Sequence, residues 1–406
     1  MRKLSTSAAD AGAGLARWLA ARLGVAPAAA AALVAGGSVY VDGRRVRDPS
    51  LRLTAGRKIV VHDEASAPPP TFRTVYADAN LVVVDKPAGV AVMATRDAAG
   101  ALDEAVAAAH PGVTPVHRID RDTSGLVAFA RRDIGPLGRE YLAVVAGTPP
   151  APDFVLDAPI GPDPRDRRRF AAGAGRPAET RVRAIATWPD GALLRAVLVT
   201  GRTHQIRVHL AAAGLPILGD PIYAPPDARA SSPRLALHAA TLHFCGREVS
   251  SPLPSELRAL LPLDIRPIAA AETRPLRRSV LRPHQTEAEL VYPGDDAPAT
   301  LHLGAFLGAS LVGVASLYRE PPAGESGAGD WRLRGMAVAP ELRGTGAGAR
   351  LLERCLDHAR AAGGTRLWCN ARTPAAGFYR RHGLVTRGDE FDIPGIGPHF
   401  FMWRAL

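Results

Sequence analysis

The amino-acid sequence predicts a multidomain α+β protein. Its 406 residues are too many for one ordinary domain, and the 47% hydrophobic content is enough for several cores. Two Pro-rich stretches, at 64–71 and 263–283, predict joints between domains. The pattern also changes along the chain, from two helices and a hairpin, through a strand-rich part, to alternating strands and helices. We therefore predict domains at 1–65, 72–265 and 284–406, with a linker at 266–283.

Composition excludes several classes of protein. The three cysteines, Cys245, Cys355 and Cys369, form no CxxC pair, which argues against a disulfide framework and a structural zinc site. The sequence contains no run of eighteen apolar residues, and MRKLSTSAAD at its start has no apolar stretch, so we expect no membrane span and no signal peptide. These features predict a cytoplasmic protein.

The positive charge is unevenly distributed. The formal net charge is +11, and it divides into +5 for residues 1–65, +6 for residues 66–282 and 0 for residues 283–406. A preference for arginine over lysine explains which basic residue is used, but it does not explain a neutral last segment. A basic surface attracts phosphate backbones, so the first two segments are expected to bind nucleic acid.

The first domain combines two short helices with strands. LARWLAARLG (15–24) and PAAAAALVAGG (27–37) have the apolar spacing, the early proline and the final glycines of helices. SVYVDGRRV (38–46) predicts a hairpin around Asp42-Gly43, and AGRKIVVH (55–62) predicts a further strand.

Residues 15–61 resemble the alpha-L RNA-binding fold, a small ribosomal-protein-like domain, through these helices, GSVYVDGRRVRDPSLRL and AGRKIVV. The resemblance implies that this domain holds RNA. A solvated charged face is the alternative interpretation, because short motifs also match by chance. The candidate phosphate-binding residues lie on the hairpin and the strand that follows it: Arg44, Arg45, Arg47, Arg52, Arg57 and Lys58.

In the middle domain, a polar run leads directly into an apolar strand in HRIDRDTSGLVAFAR (117–131). Asp120 in this run is a candidate nucleophile or base, because a carboxylate at the mouth of a strand beside arginines contributes little to stability. An arginine close to it would lower its pKa and keep it ionised.

Four blocks resemble the RluA family of pseudouridine synthases: LVVVDKPAGVAVMAT (81–95), HRIDRDTSGLVAFAR, REYLAVVAG (139–147) and VTGRTHQIRVHLAAAGLPILGDPIYA (199–224), followed by LALHAATLHF (235–244). The resemblance spans about 75–250. It implies a mixed, mainly antiparallel sheet that isomerises uridine in ribosomal or transfer RNA without metal or cofactor.

The resemblance also assigns roles to individual residues. It implies that Asp120 is the catalytic carboxylate, that Arg207 lies against it, and that Tyr141 stacks on the uracil ring and acts as a general base. The target uridine must leave the helical stack to reach such a pocket. Basic and polar groups are therefore expected around it, and the RNA-contacting candidates here are Arg118, Arg202 and His204.

Each of these residues also has a structural interpretation. Asp120 standing alone would be an ion-pair partner of Arg118 or Arg121, and Tyr141 would be an ordinary core tyrosine of a strand. His117, His204, His209 and His238 do not have the spacing of a metal site, so we interpret them as hydrogen-bonding scaffold or RNA contacts. Lys86-Pro87 is interpreted as a rigid loop near the pocket.

The segment 132–138 departs from the family pattern. Only seven residues separate the run FAR from REYLA, where family members usually have a longer stretch that includes a helix. This shortening leaves open a catalytically impaired protein that binds RNA or assists ribosome assembly.

The last domain, 284–406, has an α/β pattern and resembles GNAT acyltransferases. LRGMAVAPELRGTGAGARLLERCL (333–356) places a glycine-rich turn between a strand and a helix, and NARTPAAGFYRRHGL (370–384) follows a second strand. Glycines let backbone N–H groups approach a pyrophosphate at a helix N-terminus. The resemblance implies acetyl-CoA as co-substrate, Tyr379 as general acid, and these cofactor-binding residues: Met336, Ala337, Val338, Arg343, Gly344, Thr345, Gly346, Ala347, Gly348 and Asn370.

The last domain allows other interpretations. A dinucleotide-binding fold is disfavoured, because GTGAG is not preceded by the start of a βαβ unit and no acidic residue stands at the ribose distance. The amine acceptor is unknown, either a small amine or a protein N-terminus. His399 is favoured as a strand cap over a residue of the acceptor pocket.

Three hypotheses therefore remain for the whole chain. The first is a uridine isomerase joined to an N-acetyltransferase. The second is an RNA-binding or ribosome-assembly protein whose synthase domain has decayed. The third is an acetyltransferase that uses the rest of the chain for delivery to RNA or ribosomes.

Overall fold

The computed structural model describes residues 2–61, 70–93, 101–166 and 169–406. These residues divide into two compact units: unit 1 comprises residues up to 141 together with 237–251, and unit 2 comprises 142–236 together with 252–406. Most of the joint predicted at 64–71 lies outside the described residues.

The elements follow one another along the chain with these bounds. The strands are β1 (Arg2–Ser5), β2 (Val39–Val41), β3 (Arg44–Val46), β4 (Lys58–Val61), β5 (Arg73–Ala77), β6 (Leu81–Lys86), β7 (Thr114–Pro115), β8 (Ser124–Ala130), β9 (Gly138–Ala146), β10 (Asp153–Leu156), β11 (Ile160–Pro162), β12 (Phe170–Ala172), β13 (Thr180–Trp188), β14 (Gly191–Leu198), β15 (Leu237–Phe244), β16 (Arg247–Ser250), β17 (Leu263–Pro267), β18 (Leu301–Leu307), β19 (Ser310–Tyr318), β20 (Asp330–Val338), β21 (Arg366–Arg372), β22 (Val385–Thr386), β23 (Phe391–Ile393) and β24 (Gly397–Ala405). The α-helices are α1 (Leu15–Leu23), α2 (Pro27–Ala35), α3 (Leu102–Ala109), α4 (Gln205–Ala212), α5 (Pro226–Ala230), α6 (Ser255–Arg258), α7 (Ala270–Leu281), α8 (Ala347–Ala361) and α9 (Ala376–Arg381).

The first domain of unit 1 confirms the helix-helix-hairpin prediction. Helix α1 ends at Gly24, which has a left-handed backbone conformation, and α2 begins at Pro27. Asp42 and Gly43 both have positive φ angles, as the tight turn between β2 and β3 requires. The sheet has the order β1-β4-β2-β3, and the apolar sides of both helices pack on it around Leu15 and Ile59.

The rest of unit 1 is built around the buried strands β6 and β8. The strand order is β15-β8-β6-β5, with β16 on β15 and β7 on β8. Strand β8 is buried along its whole length, and β6 is buried at all positions except Asp85. A short parallel pairing joins Ser124 and Gly125 of β8 to His238 and Ala239 of β15. This pairing holds the start of β8 and therefore the turn that precedes it.

Strand β9 passes from unit 1 to unit 2 between Tyr141 and Leu142. In unit 2 the strand order is β10-β13-β14-β9, and β11 pairs separately with β12. Helix α4 was not predicted from the sequence. Its residues from Gln205 to Leu210 are all buried, and polar and apolar side chains alternate in QIRVHL, a pattern that is typical of a strand rather than a helix.

Unit 2 also contains a second sheet, with the order β17-β18-β19-β20-β21-β24-β22 and β23 on β24. Helix α8 packs against β18, β19 and β20. The linker predicted at 266–283 is wrong. Strand β17 pairs with β18 from Leu263 to Pro267, and α7 packs on β19 and β20. Pro275 lies inside α7, so a proline typical of a joint is tolerated here because the helix is held by packing.

No single helix among the described residues has the length and apolar character to cross a membrane. Helices α1 and α2 reach these criteria only as a pair, with a bend of 119° between them.

Gly125 is required by the close approach of β8 and β15. Its φ is +112°, and a Cβ atom there would lie 2.2 Å from the carbonyl oxygen of Ala239. We predict that Gly125→Ala lowers the free energy of unfolding of unit 1 by at least about 2 kcal/mol, because backbone must move to relieve the overlap. Denaturant unfolding followed by circular dichroism measures this.

Gly135→Ala is the matched control. Gly135 also has a positive φ, +73°, but no atom lies within 4 Å of the added Cβ. Its cost is therefore limited to the strain of the backbone, about 1 kcal/mol. Equal losses for the two variants would contradict the importance of the β8–β15 contact.

Candidate functional site

Asp120 lies in the turn that leads into β8. The backbone N–H of Thr123 donates to the carbonyl oxygen of Asp120 at 3.2 Å, which closes this turn. Ile119 and Thr123 are buried on either side, and Asp120 itself is half-buried. The carboxylate is thus carried by a backbone that is fixed on both flanks.

The ammonium of Lys86 holds this turn through hydrogen bonds to backbone carbonyl oxygens. Lys86 is fully buried, and its Nζ donates to the carbonyl oxygens of Pro87 at 2.9 Å, Val90 at 2.7 Å and Arg121 at 2.9 Å. The backbone N–H of Gly89 also donates to the Arg121 oxygen, at 2.9 Å. The residue after Asp120 is therefore tied to Lys86, which is the last residue of β6 rather than part of a loop; that Pro87 lies near the pocket stays a prediction.

The neighbouring arginines are the basis of the alternative interpretation of Asp120 as an ion-pair partner. Arg121 pairs with Asp122, at 3.2 Å. The side chain of Arg118 is exposed.

Tyr141 lies in the buried part of β9, only 4% exposed. Burial raises the pKa of its phenol to about 12, and the Asp120 carboxylate adds to the rise while Arg139 opposes it. The phenol and the Asp120 carboxylate therefore interact electrostatically within unit 1. At neutral pH Tyr141 is a protonated phenol, which suits a stacking or hydrogen-donating role better than that of a general base.

The histidines of the motif blocks act as hydrogen-bonding scaffold, as predicted. His117 Nε2 accepts from the Ala128 N–H at 3.1 Å, and burial lowers its pKa to about 4, so the ring is neutral. The other three bond to hydroxyl groups: His204 to Tyr223, His209 to Thr180 and His238 to Ser124. Among the residues that the structure describes, no group of three or more His, Cys, Asp or Glu side chains is placed to hold a metal ion.

In unit 2, Arg207 forms a buried two-pronged ion pair. Its Nε and Nη2 donate to the two carboxylate oxygens of Asp220, both at 2.8 Å, and its guanidinium lies 5.1 Å from the Tyr223 ring centre. Asp220 also accepts from the N–H groups of Ile222 and Tyr223. Asp220 was not predicted as a site residue, although it stands in the quoted block LGDPIYA. The expected placement of Arg207 against Asp120 stays a prediction.

His204 and Arg202, the predicted RNA contacts of unit 2, lie just before α4. His204 has a left-handed backbone, with φ of 56°, and packs edge-on against Phe170 and Tyr223. Arg202 Nε donates to the Pro177 carbonyl oxygen at 2.9 Å. Both are partly exposed, and their contact with RNA stays a prediction.

The six basic candidates of the first domain divide into two groups. Arg45 and Arg47 both pair with Glu104 on α3, the latter at 2.7 Å. Arg57 pairs with Asp42, and Arg52 donates to the Gly12 carbonyl oxygen. The side chains of Arg44 and Lys58 are exposed and form no hydrogen bond or ion pair within the described part of the chain. The latter two are consequently the best placed for phosphate.

The shortened connection between β8 and β9 is well packed. Ile134 and Leu137 pack against the core of unit 1, and Asp133 accepts from the Gly135 N–H at 2.9 Å. Arg131 donates to the carbonyl oxygens of Ala79 and Pro111. The shorter segment therefore joins the Asp120 strand to the Tyr141 strand without leaving a gap in the core.

The second candidate site lies where β20 and β21 part. The two strands pair in parallel, with Asp330 opposite Arg366 at one end and Arg332 opposite Trp368 at the other. Within the described residues, the pairing continues no further. On the other edge of β20, a bulge at Gly335 and Met336 interrupts the pairing with β19. The predicted residues Met336, Ala337 and Val338 on β20 and Asn370 on β21 therefore line an opening between the strands.

The glycine-rich turn follows β20 and ends at α8. Gly346 caps the helix with φ of 95°, a conformation that side chains rarely adopt, and Arg343 to Thr345 precede it. Ala347 begins α8, and a Cβ on Gly348 would contact Met336, Val338 and Phe378. Free backbone N–H groups at a helix start suit a pyrophosphate.

Tyr379 on α9 reaches this opening. Its hydroxyl lies 3.8 Å from the sulfur of Met336, and burial raises its pKa well above the ordinary value. Its phenol is therefore protonated, as a proton donor must be. His399, favoured as a strand cap, is buried, and its Nδ1 bonds to the Gly397 carbonyl oxygen.

The Arg207–Asp220 pair generates a stability prediction. Burial alone would raise the pKa of Asp220, but the hydrogen bonds and charge of Arg207 bring it below the ordinary value. The pair therefore stabilises the fold above pH 4, and this stabilisation is lost as the pH falls through the lower folded-state pKa. We predict that Asp220→Ala lowers the free energy of unfolding by about 3 to 5 kcal/mol at pH 7, because it leaves a buried guanidinium unpaired.

Asp153→Ala is its control, since Asp153 pairs with Arg183 at the surface and both side chains are about 60% exposed. It should change stability little at any pH. A similar small loss for Asp220→Ala in urea titrations would contradict the assignment of the buried pair.

Comparison with known proteins agrees with this arrangement. The RNA pseudouridylate synthase family model matches residues 80–212, the acetyltransferase (GNAT) family model matches 267–384, and the S4 domain model matches 14–59. The range 267–384 contains the strand opening and the glycine-rich turn, and the range 14–59 contains the helix-helix-hairpin domain.

Three curated relatives illustrate the similarity. An uncharacterized RNA pseudouridine synthase of Chloroflexus aurantiacus is 46% identical over 36% of this chain, and the chain spans about half of that relative, 52%. The dual-specificity RNA pseudouridine synthase RluA of Escherichia coli is 35% identical over 43% of this chain and 86% of the relative. The uncharacterized N-acetyltransferase YitI of Bacillus subtilis is 36% identical over 31% of this chain and 85% of the relative. The chain therefore belongs to the RluA-type RNA pseudouridine synthase family, with an S4 domain before the synthase domain and a GNAT acetyltransferase domain after it.

Proposed function

We propose that this protein isomerises uridine to pseudouridine in ribosomal or transfer RNA, with Asp120 as the catalytic carboxylate. The observation that carries the proposal is the fixed turn of Asp120, in which Lys86 and Gly89 both donate to the Arg121 carbonyl oxygen. The Asp120 carboxylate also interacts electrostatically with Tyr141. A carboxylate held this way serves chemistry rather than stability.

The reaction needs no added group. The bond between uracil N1 and ribose C1′ breaks, the base turns, and a bond forms between C5 and C1′ while the proton on C5 moves to N1. Every atom of uridine is retained, so no oxidant, metal or cofactor has to be supplied. Asp120 would either attack C1′ or accept the C5 proton, and the residues support both routes.

Tyr141 would act beside Asp120 as a protonated phenol. With a pKa of about 12 its hydroxyl would donate a hydrogen bond, and its ring would be the stacking partner of a flipped uracil. Arg207, which is fixed by Asp220, is the third residue that the family resemblance assigns to the catalytic set.

RNA would be held by the S4 domain and the flanks of the site. The proposed contacts are Arg44 and Lys58 on the S4 domain, Arg118 in unit 1, and Arg202 and His204 in unit 2. The reaction on RNA and the free cysteines suit the reducing cytoplasm. The alternative of a decayed synthase is disfavoured, because the short 132–138 segment packs on the core and leaves the Asp120 and Tyr141 strands whole.

We predict that Asp120→Asn lowers pseudouridine formation by roughly three orders of magnitude or more, since the amide can neither attack nor accept a proton. RNA affinity should stay within about twofold. The assay incubates the full chain with transcribed ribosomal and transfer RNA and maps pseudouridine.

Asp122→Asn is the matched control, because Asp122 lies in the same turn and pairs with Arg121 at the surface. It should retain activity. Pseudouridine formation that survives in Asp120→Asn, or that is lost equally in Asp122→Asn, would overturn the role of Asp120.

A second activity is supported by an independent observation, the opening between β20 and β21 with the glycine-rich turn beyond it. Bound acetyl-CoA would supply an activated acetyl group for transfer to an amine. The turn from Arg343 to Gly348 would hold its pyrophosphate, Met336–Val338 and Asn370 would line its arm, and Tyr379 would protonate the departing thiolate.

We predict that Tyr379→Phe lowers the rate of acetyl transfer roughly 100-fold and leaves acetyl-CoA affinity within twofold, because only the proton donor is lost. Thiol release with small amines and peptides measures transfer, and calorimetry measures affinity. Tyr76→Phe, the same change on a tyrosine of unit 1, should alter neither. A Tyr379→Phe protein as fast as the wild type would remove this tyrosine from the mechanism.

A further inference from the structure

Three arginines of the acetyltransferase domain come together beside the strand opening. Arg282 Nη1 and Arg372 Nη2 donate to the same oxygen, the Leu281 carbonyl, at 2.9 Å and 2.6 Å. The Arg334 guanidinium lies 4.1 Å from the ring centre of Tyr292. Burial lowers the pKa of Arg282, Tyr292 opposes this, and Arg372 and Arg334 lower it further, so the three positive charges repel one another. We call Arg282, Arg334 and Arg372 the arginine cluster.

The arginine cluster has no carboxylate partner. All three side chains are half-buried, and within the described ranges none of them forms an ion pair with Asp or Glu. The carboxylate of Glu320, which acts electrostatically on Arg334, is already paired with Arg332. Holding three guanidinium groups together without an anion is electrostatically unfavourable in a partly buried site. The cluster therefore has the charge of an anion-binding site whose counter-ion the protein does not supply.

Its position relates it to the acetyl group. Arg334 stands two residues before Met336 on β20, and Arg372 stands two residues after Asn370 on β21, where the two strands have parted. Side chains two residues apart on a regular strand share one face, which places Arg372 on the face of Asn370. Tyr379, the proposed proton donor, contacts Met336. The cluster thus borders the point where transfer would occur.

The cluster is separate from the pyrophosphate turn. Arg334 precedes Met336 in β20 whereas Gly344–Gly348 follow it, and three residues lie between Arg334 and Val338, so that the four strand steps span at most about 13 Å. The pyrophosphate and the anion bound by the arginine cluster are therefore different groups.

We propose that the arginine cluster binds an acidic group, a carboxylate or a phosphate, on the amine that accepts the acetyl group. Guanidinium groups match both anions through paired hydrogen bonds. The acceptor would then be a small amino acid-like or amino phosphate compound, with its amine directed to the thioester. This inference rests on the proposed acetyltransferase function.

The test uses the full chain saturated with CoA, titrated by calorimetry with succinate and with inorganic phosphate. One of the two is expected to bind with a dissociation constant in the millimolar range or tighter. Arg282→Gln and Arg334→Gln should weaken this binding at least tenfold, and Arg334→Lys should recover part of it. Arg360→Gln, on the exposed end of α8, is the control and should have no effect.

A second measurement compares matched amines as acceptors: amino acids against their carboxamides, and phosphoethanolamine against ethanolamine. The acidic member of the preferred pair should have at least a tenfold higher kcat/KM, and Arg334→Gln should remove that preference. The preferred pair distinguishes carboxylate from phosphate.

Three outcomes overturn the proposal: binding of neither anion, anion binding that the variants leave unchanged, or a loss of CoA affinity in Arg334→Gln. A protein that binds CoA but no anion contradicts the arginine site alone. A protein that fails to bind CoA contradicts the proposed acetyltransferase function itself, whatever the anion titration shows.

Discussion

The buried ammonium of Lys86 fixes the turn on which the proposed uridine site depends. A charge removed from water is tolerated only where its hydrogen-bond donors are satisfied, and Lys86 meets this requirement by binding the carbonyl oxygens of Pro87, Val90 and Arg121. The same bonds that stabilise the ammonium fix the turn of Asp120 against the end of β6. The same hydrogen bonds therefore stabilise the fold and place the Asp120 carboxylate, so the loss of Lys86 would affect both.

The strands and helices that were predicted from local patterns are present, including the hairpin at Asp42-Gly43 and the long helix α8. The misses involve forces that act between distant residues. Helix α7 contains Pro275 and many arginines, so its sequence is typical of a joint, and only packing on β19 and β20 makes it a helix. Arg45 was predicted to contact phosphate, but it pairs with Glu104, which lies 59 residues later in the sequence. Asp220 was not predicted for the same reason, because its role is to pair with Arg207, and the sequence does not show that the two side chains meet.

Net charge and local charge carry different information in this chain. The first two segments hold the whole excess of +11, in keeping with RNA binding, while residues 283–406 are neutral overall. Neutrality on average nevertheless conceals Arg334 and Arg372 of the arginine cluster, because Glu320, a carboxylate that acts on Arg334, is paired with Arg332. Specificity for an anionic small molecule needs only such a local imbalance, whereas attraction of RNA needs a broad one.

The central claim, that the Asp120 turn modifies RNA, is tested most directly in cells. Pseudouridine is mapped across ribosomal and transfer RNA in a strain lacking this protein, and in the same strain supplied with the wild-type or the Asp120→Asn chain. The account predicts that at least one pseudouridine disappears on deletion and returns with the wild type but not with the variant. Identical maps in all strains would contradict it.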